Sequence, residues 1–245
     1  MAGRLDGTVA LVTGASSGIG EATALALAAR RRDRLDALAG KLEGDGGRVL
    51  VTETDVTDEA QAVAAVEATV EQLGRLDVVV NNAGLMLLGP IVGADTGEWR
   101  RMVELNVLGL MYVTTAALPH LLRAADGEPR RVSDLVNVSS VAGRVARLNS
   151  GAYNATKWAV NAFSEALRQE VTERHVRVAL VEPGAVSTEL AGHNRPEVLQ
   201  GLRSSLGDIE RMEAGDIADA ITYAVTRPRH VAMNELLIRP TQQVR

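Results

Sequence analysis

The chain has 245 residues, a net charge of −5 and no cysteine, which excludes disulfides and thiolate metal sites. No metal is expected either, because the four histidines, His120, His175, His193 and His230, lack ligand-like spacing. Neither nucleic-acid binding nor a membrane span is expected: there is no large basic region, no apolar run near the ~18 residues of a span and no signal-peptide pattern, which points to a cytoplasmic protein.

With 46% hydrophobic but only 2% aromatic residues, the core must be built from Ala, Val and Leu. That composition suits buried parallel strands under Ala-rich helices. In chain order, "TVALVTG" (8–14) reads as a strand that runs into "TGASSGIGEA". The next stretch, "EATALALAARRRDRLDALAGKL" (21–42), reads as one small-residue helix and one basic helix with no separate strand between them. Strands follow at 48–56, 76–84, 133–140, 176–184 and 234–240, and those at 76–84, 133–140 and 176–184 end in Gly or Ser. Between them, 59–74 and 97–124 carry apolar residues at helical spacing. Such alternation predicts a three-layer α/β fold, a doubly wound parallel sheet with right-handed crossovers. The chain 1–245 reads as a single domain, and the weakly patterned 185–215 as a mobile segment covering the substrate. In a sheet of this kind, ligands bind beyond the carboxyl ends of the strands, where the suggestive polar residues of this chain lie.

Glycines 14, 18 and 20 permit a tight turn and then close approach of backbone N–H groups to a phosphate at a helix N-terminus. The bland alternative is an ordinary glycine-rich turn. A Walker-type site is disfavoured because Gly20 is not followed by Lys and Ser or Thr. In "YNATK", Tyr153 and Lys157 are four residues apart and share a helix face. A nearby ammonium favours the phenolate, which would make the tyrosine a usable general acid or base. Two residues sharing a surface face is the bland reading of that pair. "NVSS" places hydroxyls at Ser139 and Ser140 at a strand end, fit either to bond a carbonyl or to cap a turn. A hydrolase is disfavoured, since no G-x-S-x-G elbow is present.

Taken together, "TGASSGIG", "NNAG" (81–84), "LNVLG", "NVSS", "YNATK" and "PGAVST" (183–188) occur in the order found in short-chain dehydrogenase/reductases. The resemblance covers essentially the whole chain. It implies a Rossmann-like fold, an NADP(H) cofactor and redox chemistry on a small-molecule carbonyl or alcohol. Tyr153 would then donate the proton, Lys157 lower its pKa and hold the nicotinamide ribose, and Ser140 orient the carbonyl. Asn106 would support a water relaying protons to Lys157. Gly14, Ser16, Gly18, Ile19 and Gly20 would line the pyrophosphate and adjoining ribose. Asp55 and Val56 would lie by the adenine, Asn82, Ala83 and Gly84 would pass beside the cofactor, and Pro183, Gly184 and Thr188 would position the carboxamide. More narrowly, "GLMLLGP", "FSEALRQEVTERHVRV" and "IRPTQQV" resemble actinobacterial NADPH-dependent reductases related to clavulanic acid dehydrogenase. The resemblance also implies an oligomer, a homotetramer before a dimer, joined through helices 97–124 and 152–174.

Arg30 and Arg31 fall where NADP-dependent members bind the 2′-phosphate; a solvated basic turn is the bland alternative. The strand before them is shortened or missing around 24–32. Only ten steps separate Gly20 from Arg30, whereas a parallel crossover takes a dozen or more residues before the next strand begins. "ALALAA" (24–29) can finish the first helix or form a truncated strand, but not comfortably both. An omission from the written chain or a genuine deletion is favoured over rearrangement, because every later motif keeps its spacing. If the strand is lacking, weakened NADP binding is expected. Two functions stay in view: an NADP(H)-dependent oxidoreductase, or a non-catalytic nucleotide-binding or scaffold protein that retains the fold. An epimerase or dehydratase of sugar nucleotides is disfavoured, since residues 185–245 make a small substrate region for one.

Overall fold

The structure, a computed structural model, describes residues 5–23, 27–29, 31–44, 48–206 and 209–244. Seven parallel strands form one sheet: β1 (Ala10–Thr13), β2 (Leu27–Ala29), β3 (Val51–Glu53), β4 (Val78–Asn81), β5 (Ser133–Val138), β6 (Val176–Pro183) and β7 (Glu235–Ile238). Their spatial order is β3-β2-β1-β4-β5-β6-β7, so the winding reverses between β1 and β4. That reversal opens a crevice beyond the carboxyl ends of those two strands. This is the Rossmann-like doubly wound fold expected from the alternation of strands and helices.

Strands β1, β4, β5 and β6 are buried along their whole length, which explains their unbroken apolar character. The period of two sorts their side chains between two cores. On one face Val12, Val78, Val80, Val136 and Val181 pack with Leu35 and Leu38 of α2 (Arg32–Gly44) and with Ile217 and Ile221 of the helix Ala214–Val225. On the other, Leu11, Val79, Leu135 and Val178 meet Val66 of α3 (Glu59–Leu73), Leu121 of α5 (Leu110–Asp126) and Leu167 of α6 (Gly151–Val171). Leu121 is fully buried; truncating such a leucine to alanine costs about 2–5 kcal/mol.

Local chemistry sets the helix ends. Asp58 accepts from the Gln61 N–H to start α3, and Gly74, with φ 88°, ends it by donating its N–H to the Val70 carbonyl. Asp95 caps α4 (Thr96–Val103) through the Gly97 N–H. A π-helical turn, Glu104–Gly109, joins α4 to α5. The resulting run, Thr96–Asp126, is long and apolar enough to cross a membrane by length and composition, which the reading of the sequence did not anticipate. Half of its most apolar window is buried within this fold, against α3, β4 and β5.

Both elements in doubt are present, each cut short. Helix α1 (Gly18–Thr23) has six residues, about 9 Å of helix. So short a return brings the chain back beside only the carboxyl end of β1. Accordingly β2 pairs with Val12 and Thr13, while β4 on the other side pairs from Ala10. Three residues still suffice for β2 to bridge β1 and β3, through Leu27 to Val51 and Ala29 to Glu53.

Candidate active site

A cleft of about 1430 Å³ opens beyond the carboxyl ends of β1, β4, β5 and β6. Its lining includes, on the side of the glycine loop, Gly14, Ser16, Gly18, Ile19, Arg31, Asp55, Val56, Asn82, Ala83 and Gly84, and, towards its far half, Ser140, Tyr153, Lys157, Pro183, Gly184 and Thr188. The structure thus brings nearly every expected site residue to one cavity. Gly20 and Asn106 stand behind that lining, and Arg30 lies outside the described residues.

The glycine loop is stitched to β4. The Thr13 hydroxyl accepts from the N–H groups of Asn82 and Ala83, each at 3.1 Å. In return the Asn82 side chain donates to the carbonyls of Thr13 (3.1 Å) and Gly14 (3.2 Å). Gly14 has φ +66°, and a Cβ there would sit 2.8 Å from the Ala83 Cα. At Gly20 a Cβ would meet the Asn82 Nδ2 at 2.4 Å and the Gly14 carbonyl at 2.5 Å. These glycines therefore hold open a concave backbone cradle that side chains would fill, which fits the phosphates of a dinucleotide. Thr188 closes its far wall, packing its methyl on Gly18. The Asp55 carboxylate accepts from the Thr57 N–H (3.1 Å) and hydroxyl (2.9 Å), which fixes the turn after β3. Val56 packs on Gly109, where a Cβ would crowd it at 3.0 Å.

The polar residues of the far half are held just as firmly. Ser140 accepts from the Ala142 N–H at 3.1 Å at the start of a 3₁₀ turn, Val141–Gly143, and its hydroxyl is near enough to Tyr153 to influence the acidity of the phenol. Tyr153 is buried among Leu85, Leu87, Leu88 and Met102. Burial pushes its phenol up to about 12, against the opposing pull of the Ser140 hydroxyl. Lys157 lies one helical turn on, its Nζ 5.9 Å from the centre of the Tyr153 ring and donating to the Val138 carbonyl at 2.9 Å. Burial lowers its pKa to about 8. Within the protein itself, then, desolvation rather than the ammonium dominates the acidity of the phenol. At neutral pH the Tyr153 phenol therefore keeps its proton.

Asn106 sits on the π turn, which turns its side chain inward. It accepts from the Leu85 N–H (2.8 Å) and donates to the Leu85 carbonyl (2.8 Å) and the Thr156 hydroxyl (3.2 Å). Those bonds tie α6 and the chain after β4 together; none is made with Lys157.

Of the two hydroxyls of "NVSS", that of Ser139 turns away and donates to Asn161 Oδ1 at 2.6 Å. Its partners escaped the reading of the sequence. Asn161 Nδ2 donates to the Gly143 carbonyl (3.2 Å) and to Glu182 Oε1 (2.7 Å). Glu182, fully buried at the end of β6, takes a two-pronged bond from Arg144 at 2.7 and 2.8 Å. The Arg144 guanidinium also bridges to Glu235 of β7, and the two carboxylates raise its pKa further. Asn194 clasps the cavity roof, accepting from the Leu88 N–H (2.7 Å) and donating to the Met86 carbonyl (2.9 Å). No single-residue pattern marks Asn161, Glu182 or Asn194 in the sequence. Among the described residues no group of three or more His, Asp or Glu is placed to hold a metal ion.

Residues 8–198 match the family model described as short chain dehydrogenase. The chain belongs to that family. An oxidoreductase of Staphylococcus saprophyticus is 37% identical over 96% of both chains. Glycine betaine reductase of Emericella nidulans is 37% identical over 98% of this chain, which matches only 19% of that longer protein. Among solved short-chain dehydrogenase relatives, a serine dehydrogenase in a closed form with NADP+ superposes with a TM-score of 0.86 at 29% identity, over 96% of each chain. A 3-ketoacyl-(acyl-carrier-protein) reductase of Brucella melitensis, solved with NADH, gives 0.84 at 29% identity, over 98% of this chain and 100% of that one. The protein is an oxidoreductase of this family, with a cleft for a nicotinamide nucleotide.

Proposed function

We propose that the protein is an NADP(H)-dependent oxidoreductase that interconverts a small-molecule carbonyl and its alcohol by a Tyr-Lys-Ser mechanism. The observation that carries this reading is the convergence of Ser140, Tyr153 and Lys157 on the far half of a cleft whose near half is the glycine cradle. Gly14, Ser16, Gly18, Ile19 and Gly20 would hold the pyrophosphate, Arg30 and Arg31 the 2′-phosphate, and Asp55 and Val56 the adenine. Asn82, Ala83 and Gly84 would flank the nucleotide, with Pro183, Gly184 and Thr188 at the carboxamide. The nicotinamide, when bound, supplies or takes the hydride.

The work of the chain is to place a proton. Ser140 holds the carbonyl oxygen beside the phenol of Tyr153, and Tyr153 delivers its proton to that oxygen in the reducing direction. Burial keeps the proton on Tyr153 until it is used. Lys157, fixed by the Val138 carbonyl, stabilises the phenolate that remains, and Asn106 supports the water route by which that proton is restored. Leu85, Leu88 and Val141 make much of the substrate end apolar. An aldehyde or ketone of moderate apolarity fits there, in keeping with the resemblance to reductases related to clavulanic acid dehydrogenase.

On the same reading residues 1–245 form one domain, 185–215 cover the substrate, and the protein acts in the cytoplasm. It assembles as a homotetramer, with a dimer as second choice, through a face that exposes Val103, Leu108 and Trp158. The test is NADPH oxidation against a panel of aldehydes and ketones, with NADH alongside. Tight NADPH binding without turnover on any of them would favour a nucleotide-binding protein instead.

A further inference from the structure

Of the four hydrogen bonds that Arg31 makes among the described residues, three go to the glycine loop. Its Nε donates to the Ser16 hydroxyl at 3.1 Å, and Nη2 donates to the Ser17 hydroxyl at 2.8 Å and the Ser16 carbonyl at 3.4 Å. The remaining nitrogen, Nη1, donates across the cleft to Glu189 Oε2 at 2.9 Å. The other oxygen of Glu189 accepts from Arg34 Nη1 at 2.7 Å. Glu189 opens the 3₁₀ turn Glu189–His193, directly after Thr188. One carboxylate from the far wall of the cleft therefore bridges two guanidiniums on the nucleotide side. The two arginines hold Glu189 down to about 2, so it is charged at any working pH.

We infer that Glu189 is a built-in anion that competes with the 2′-phosphate of the nucleotide for Arg31, and so sets how far the protein prefers NADP over NAD. The inference rests on reading Arg31 as a 2′-phosphate ligand. Chemistry makes the competition direct. A 2′-phosphate and a carboxylate seek the same guanidinium N–H groups, and both are negative, so each raises the cost of the other. Arg31 and Glu189 are both about half exposed, at 41% and 50% for their side chains. Pairs that open to solvent are weak, so a phosphate can displace this one. A nucleotide without the phosphate leaves the bridge in place. The carboxylate thus works against NADP and is neutral towards NAD. It also links the choice of nucleotide to the segment after Thr188, because only a 2′-phosphate releases that segment from the nucleotide side.

The test is calorimetric titration of the purified protein, at low ionic strength, with 2′,5′-ADP and with 5′-AMP, which lacks the 2′-phosphate. For Glu189→Gln, 2′,5′-ADP should bind about three- to fivefold more tightly than to wild type while 5′-AMP changes by less than about twofold, as expected for removing one exposed charge. In Arg31→Ala the same glutamine substitution should have no effect on 2′,5′-ADP. Equal tightening of both probes, or no tightening of 2′,5′-ADP in a variant with a wild-type circular dichroism spectrum and melting temperature, would overturn the competition. A wild type that binds 2′,5′-ADP no better than 5′-AMP would instead overturn the NADP reading beneath it.

Discussion

The two sides of the sheet's crossover point are built to different standards. On the chemistry side, β4, β5 and β6 are buried throughout, and their ends are fastened by Asn82, Asn106, Asn161 and Glu182. On the nucleotide side, α1 has six residues, β2 has three, and β2 reaches only the last two residues of β1. Yet the glycine loop keeps its shape, because Thr13 and Asn82 anchor it to the well-built side. The difference teaches that the cradle borrows its rigidity from β4 rather than from its own crossover. What the short unit carries alone is the arginine cluster, and there the structure relies on exposed ion pairs.

The largest effect that would break this comparison is expected at Tyr153. Tyr153→Phe should lower kcat by about 10²–10⁴-fold while NADPH affinity stays near wild type, because the phenol touches the chemistry side alone. Steady-state kinetics beside a fluorescence titration of NADPH would decide; retained turnover removes Tyr153 as proton donor.

Next comes the fastening of the serine loop. Glu182→Gln leaves Arg144 short of its buried partner, and since Arg144 is about one-third exposed the loss should be about 2 kcal/mol, less than for a wholly buried pair. Urea unfolding measures it. A loss well under that, with unchanged kcat, would mean that Glu182 does not hold the loop carrying Ser140.

Gly20→Ala probes the cradle itself. Its Cβ would collide with the Asn82 amide and the Gly14 carbonyl, so about 1–3 kcal/mol of stability should go, together with most nucleotide affinity. Thermal melts with and without NADPH would show it. A variant still stabilised by NADPH as strongly as wild type would show that the stitch yields more easily than its geometry implies.

The smallest effect is a pH dependence on the chemistry side. The folded pKa of Lys157, about 8, lies below its ordinary value of 10.5. Between those values the unfolded chain binds the proton more than the folded one does, so stability rises with pH through this window, by about 1 kcal/mol from pH 8 to 9. Urea midpoints for wild type and Lys157→Met should converge or diverge by that amount across the interval. Parallel profiles would place the low pKa elsewhere.

Much of this was legible because it depends on period and on glycine. The alternation of Val78, Val79 and Val80 between two cores, the open φ of Gly14 and Gly18, and the one-turn spacing of Tyr153 and Lys157 all follow from local rules. What stayed hidden depends on distance along the chain. Glu182 finds Arg144 across 38 residues and Glu189 finds Arg31 across 158, and nothing in either neighbourhood announces the partner. The π turn around Asn106 was equally invisible, since its apolar spacing differs little from that of an α-helix. In "ALALAA" the sequence posed helix against strand as rivals. Among the described residues α1 runs to Thr23 and β2 starts at Leu27, so a helix and a strand both fit into the short return.

Gln243 carries one more consequence. Its Oε1 accepts from the Ala185 N–H at 2.8 Å and occupies the space that a side chain on Gly184 would take. Gln243 is thus a plug behind the loop that follows β6. Replacing Gln243 by alanine would withdraw the plug without touching the sheet, and the loop from Pro183 to Thr188 would lose its backing.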